Sequence, residues 1–116
     1  MDRYIEHEYL VPVMIGCRSV NKTQSLLKLL KHTKQKIHIF AQNFSFIEKV
    51  TCYCHKVDPF RDDFLIDGLL SFASSLDEYC FPVIFIGCDE VKSFVLQNAE
   101  QIESAYVTVD LLEIGI

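Results

Sequence analysis

Three short stretches carry side chains that could do chemistry. Cys17 closes an apolar run, LVPVMIGC over residues 10–17, and stands just ahead of a helical pattern. A thiol there would lie in the field of a helix N-terminus, which favours the nucleophilic thiolate. Cysteine phosphatases and phosphocysteine carriers place their nucleophile this way, but they close the loop with glycine, serine or a distal arginine. Here no glycine follows Cys17 in the loop, and Thr23 stands where the phosphatase arginine would fall. The same turn, GCRSVN, could hold an anion through Gly16, Arg18 and Ser19 beside the helix N-terminus. A dinucleotide fingerprint would need two further glycines and an acidic residue after the second strand. Arg18 and Asn21 occupy the glycine places, and the chain reads Ala41, Gln42, Asn43 at the acidic one, so no nicotinamide or flavin site is expected.

The second stretch is Cys52, Cys54 and His55. Its C-x-C-H spacing lacks the second ligand pair of a structural zinc site, and in a strand His55 would face away from the two thiols. No metal is expected there. The third is the pair Asp89 and Glu90, directly after a buried strand. Asp89 reads as a helix N-cap and Glu90 as a first-turn carboxylate, both favourable near a helix N-terminus. Either could instead contact a ligand.

The elements that would position these residues alternate. LVPVMIGC and FPVIFIG (residues 81–87) are nearly continuous apolar runs, the pattern of parallel strands covered on both faces. Pro12 suits a strand start or an edge. Asn21 and Gln24 form a capping pair for a first helix whose buried stripe is Leu26, Leu27 and Leu30. Lys31, His32 and Lys34 close it. A second strand is expected over residues 36–41, a connection over 42–49 and a third strand over 50–57. A long helix follows from about Arg61 to Tyr79, with Leu65, Leu69, Phe72 and Leu76 at helical spacing. The pattern then predicts a helix from Glu90 to about Glu103, with Val91, Phe94, Val95 and Ile102 inward, and a last strand over residues 106–112. This alternation predicts an α/β, doubly wound, mostly parallel five-stranded sheet ordered 3-2-1-4-5. The ligand crevice should open beyond the ends of strands one and four.

At 116 residues, 50% of them hydrophobic, the chain is expected to be one domain with a core of its own. A formal net charge of −5 without a dominant basic face excludes a general nucleic-acid binder. No run is apolar enough to span a bilayer, and MDRYIEHEYL has no signal-peptide character, so a cytoplasmic location is expected. Five cysteines, an odd number, argue against a disulfide framework. Cys80 and Cys88 read as small buried hydrophobes.

The segments VPVMIGCRSVNKTQSLLKLL, TCYCHKV, DPFRDDFLIDGLLSFA and FPVIFIGCDEVKSFVLQNAEQI, followed by Tyr106, come in a fixed order. In that order and spacing the chain resembles the N-terminal, pre-ATP-grasp domain of ATP-grasp carboxylate–amine ligases of the D-aspartate ligase-like and carbamoyl-phosphate-synthase-like kind. The likeness runs from about residue 10 to 109. Phe64 to Leu70 match an F-I-D-x-L-L phrase with one inserted residue. Pro82, Val83, Asp89, Glu90, Phe94 and Asn98 match a P-V-x-x-P-x-x-D-E block and the F-x-x-x-N that follows it. The family has more glycine in the first turn, where Cys17 and Arg18 stand here. It often has Pro or Thr before the aspartate, where Gly87 and Cys88 stand.

The resemblance implies a Rossmann-like domain over residues 1–116 that forms one wall of a substrate site and holds no catalytic residue. The ATP and magnesium of the full ligase would be bound by ATP-grasp domains on the same or a separate chain. A small amino-acid or carboxylate substrate would meet Gly16, Arg18, Ser19, Asp89 and Glu90. A homodimer is compatible with this reading. Two other functions stay open: a stand-alone small-ligand-binding or protein-interaction module of the same fold, and a small enzyme built on Cys17.

Overall fold

The structure, a computed structural model, describes residues 9–16, 26, 28, 36–57 and 62–113. Five strands form one all-parallel sheet: β1 (Tyr9–Ile15), β2 (His38–Ala41), β3 (Tyr53–Lys56), β4 (Cys80–Ile86) and β5 (Val107–Asp110). Their order is β3-β2-β1-β4-β5, as the alternation predicts. Four helices are described: α1 (Phe46–Thr51), α2 (Asp62–Ser74), α3 (Asp89–Gln97) and α4 (Ala99–Glu103).

Two apolar layers sandwich the sheet because successive strand side chains point to opposite faces. Val11, Val13 and Ile15 of β1 and Ile84 and Ile86 of β4 pack on Leu65, Ile66 and Leu69 of α2, Val91, Phe94 and Val95 of α3, and Ile102 of α4. Met14, Val83 and Phe85 point the other way, onto Leu26, Ile37, Ile39, Cys52 and Leu111. Leu26 is helical and fully buried. The remainder of the first helix expected from the sequence, with Asn21, Gln24, Leu27 and Leu30, lies outside the described residues. Tyr106, buried just ahead of β5, donates its hydroxyl to the Leu69 carbonyl at 2.6 Å and so ties the last strand to α2.

Both prolines of the central strands are accommodated by register. β1 gains β2 as a neighbour only at Val13, opposite His38. β4 gains β5 only at Val83, opposite Val107. Pro12 and Pro82 each precede that point by one residue, so the side facing the outer strand is still unpaired there, and a missing N–H is tolerated.

Several boundaries differ from expectation. The stretch read as a connection contains α1, because Ser45 starts a reciprocal cap. The Glu48 N–H donates to Ser45 Oγ at 3.2 Å, and the Ser45 N–H donates to Glu48 Oε1 at 2.9 Å. Val50 and Thr51 therefore belong to a helix, and the third strand shortens to Tyr53–Lys56. α2 ends at Ser74 rather than near Tyr79, since the Ser74 and Ser75 hydroxyls donate to the Ser71 and Phe72 carbonyls, competing with the helical ladder. The helix expected from Glu90 to Glu103 is broken at Asn98, which donates both its backbone N–H and its side-chain Nδ2 to the Phe94 carbonyl.

Candidate functional site

β1 and β4 are neighbours at the centre of the sheet, where the strand order reverses and a ligand crevice is expected. On the β1 side stands Gly16. Its N–H donates to the Phe40 carbonyl at 2.8 Å, extending the β1–β2 pairing by one residue. A Cβ at this position would lie 2.6 Å from the Ala41 Cβ. Glycine is required here by the close approach of β2. Arg18 and Ser19, the other candidates on this side, lie outside the described residues, as does Cys17.

On the β4 side the N-cap of α3 is Cys88, extended at φ −160° and ψ 166° and making no side-chain cap bond. The expectation that Asp89 caps the helix is corrected: Asp89 is its first residue and Glu90 its second, both exposed. Their carboxylates favour the α3 N-terminus without occupying its cap, so this edge is anionic and suits an amine better than an acid. Two residues on, Lys92 Nζ lies 2.9 Å from Asp110 Oδ2 at the end of β5 and 3.5 Å from Glu113 Oε1. The hydrogen bond to Asp110 raises the Lys92 pKa, and the same bond lowers that of Asp110. This pair fastens the start of α3 to the outer strand.

The cysteines divide. Cys52, Cys54 and Cys80 are free thiols, and Cys80 is partly buried against the core, as expected. Cys88 is likewise partly buried against the core, but it is disulfide-bonded rather than a free thiol. Cys52 does not share a strand face with Cys54, since it caps α1. Cys54 Sγ sits 3.5 Å from the Glu48 carbonyl. Burial pushes both thiols above the ordinary range, which keeps them protonated and poor nucleophiles.

His55 faces away from these thiols, toward α2, and meets a histidine that sequence reasoning left as a strand residue. His38 Nδ1 and His55 Nε2 are 3.0 Å apart. Phe40 stacks on His55 at 4.4 Å, Tyr53 stacks on His38 at 4.7 Å, and Phe72 of α2 approaches both rings. The signal in the sequence was the alternation of KIHIF and CYCHK, which aims both histidines at one face once β2 and β3 pair. Among the described residues no group of three or more His, Cys, Asp or Glu side chains converges as metal ligands would. No helix among the described residues is long and apolar enough to cross a membrane.

Compared with family models, with curated proteins and with solved structures, the chain matches none.

Proposed function

We infer that this chain is the substrate-side domain of an ATP-dependent carboxylate–amine ligase, working beside ATP-grasp domains that hold ATP and magnesium. The observation that carries the reading is the switch point. β1 and β4 are central and parallel, with small or turn-forming residues at both exits: Gly16 on one side, Gly87 and the exposed pair Asp89 and Glu90 on the other. The ordered motifs of the sequence supply the rest of the support. In this reading the β1 exit, with Arg18 and Ser19, takes the substrate carboxylate. Asp89 takes its amine. The domain orients the substrate and supplies no nucleophile or base.

The test is amide chemical-shift mapping of this chain with D-aspartate and with L-alanine, and calorimetry with magnesium-ATP. The expected result is perturbation centred on Gly16, Gly87, Asp89 and Glu90. Asp89→Asn should weaken it while lowering the melting temperature only slightly, because it removes a first-turn charge but not the cap. Magnesium-ATP should show no micromolar binding. Shifts centred near Lys36 or Tyr106, or micromolar affinity for magnesium-ATP, would overturn the reading.

A further inference from the structure

We propose that the outer edge of β3 is a docking site for an extended, acidic segment of a partner protein, which adds to the sheet as a further strand. β3 ends the sheet, and among the described residues no strand pairs with its outer side. The Tyr53 and Val57 N–H groups donate inward, to the Ile37 and Ala41 carbonyls. Backbone groups of successive strand residues alternate in direction, so the N–H and C=O of Cys54 and Lys56 point away from β2. Tyr53, Cys54 and Lys56 are all exposed. Such an edge offers donors and acceptors at the spacing of a second extended backbone.

Charge and apolar surface select the occupant. Over residues 36–57 the chain carries Lys36, Lys49 and Lys56, all exposed, against a single carboxylate, Glu48, which is buried in the cap of α1. The whole chain has a net charge of −5, so this edge is locally basic on an acidic protein. Cys54 Sγ lies 3.5 Å from the Glu48 carbonyl, which sets α1 beside the edge. Phe46 and Val50, one turn apart on α1, are 80% and 60% exposed. On the other face of the strand Tyr53 is half-exposed, with Lys36 Nζ 4.7 Å from its ring centroid. A second copy of this chain pairing through the same edge would set its lysines against these, and like charges across a strand pair are destabilising. An acidic strand meets the lysines with opposite charge, and its apolar side chains cover Phe46 and Val50. The inference does not rest on the ligase reading, because β3 lies two strands from β1 and shares no residue with that site.

The probe is a short blocked peptide of alternating valine and glutamate, titrated into the intact chain and followed by amide chemical shifts and hydrogen exchange. The expected result is slower exchange at the Cys54 and Lys56 amides and little change at the Tyr53 amide, which already bonds to β2. Binding should weaken as salt is raised. The same peptide with lysine in place of glutamate should not bind. Cys54→Pro removes an outward N–H at an edge position, where proline is tolerated, and should weaken binding by about tenfold. Lys49→Glu combined with Lys56→Glu leaves the backbone intact and should weaken it by about tenfold as well, which tests the same edge if the proline variant unfolds. Equal binding of the lysine peptide, perturbation centred away from Cys54 and Lys56, or no perturbation at millimolar peptide would overturn the proposal. Concentration-dependent dimerisation through β3 without peptide would also overturn it, since the edge would then belong to a second copy.

Discussion

His38 Nδ1 and His55 Nε2 lie 3.0 Å apart across β2 and β3, so one ring must donate and the other accept. The register sets His38 opposite Tyr53 and Phe40 opposite His55, which makes the histidines diagonal neighbours on one face. Burial, then the neighbouring His55, lowers the His38 pKa from 6.5 to about 4, and burial lowers that of His55 as well. Both rings are neutral at pH 7.

This pair should weaken the fold in mild acid. The unfolded chain takes up protons near pH 6.5 and the folded chain only toward pH 4, so the stability is fully present above pH 6.5 and is lost as pH falls through that window. With the rings half-exposed, the loss should be on the order of 1–2 kcal/mol. Urea unfolding at pH 7 and pH 4.5 checks it. His38→Phe keeps an aromatic ring and should flatten the acid decline relative to the parent. Equal declines in both proteins would remove His38 as the cause.

Gly16 should be intolerant of a side chain for a reason that can be reversed. Gly16→Ala sets a methyl against Ala41 and should destabilise by about 1–3 kcal/mol. Adding Ala41→Gly removes the opposing methyl, so the double variant should be more stable than Gly16→Ala alone. If denaturation midpoints showed no such recovery, the close approach of β1 and β2 would not be the constraint.

The cap of α1 should be separable from the rest of the fold. Ser45→Ala removes the acceptor of the Glu48 N–H and should cost about 1 kcal/mol, whereas Ser45→Asp should retain most of the stability. Hydrogen exchange gives a local readout: the Glu48 amide should exchange faster in the alanine variant and not in the aspartate variant. Unchanged exchange at Glu48 would mean the cap bond does not hold that amide.

Much of the architecture follows from local pattern. The continuous apolar runs at β1 and β4 required cover on both faces, Leu65 and Leu69 required a helix over them, and the alternation of strands with helices implied crossovers and hence the order β3-β2-β1-β4-β5. These features depend on which face a side chain takes, and periodicity settles that within a few residues. The details of the candidate site depend on something else. That Gly16 is pressed by Ala41, that His38 meets His55 and that Pro12 and Pro82 stand just ahead of the outer strands are all consequences of register between segments distant in the chain. α1 was written locally in Ser45 and Glu48, but a six-residue helix has too short a period to declare itself beside β-forming Val50 and Tyr53. Helix α3 begins at Asp89 behind an extended Cys88, although aspartate is the better N-cap by type. The sequence determines which residues are able to meet, because propensity and periodicity act over one or two turns. Only the tertiary structure decides which do meet, because strand register is set by packing two whole layers at once.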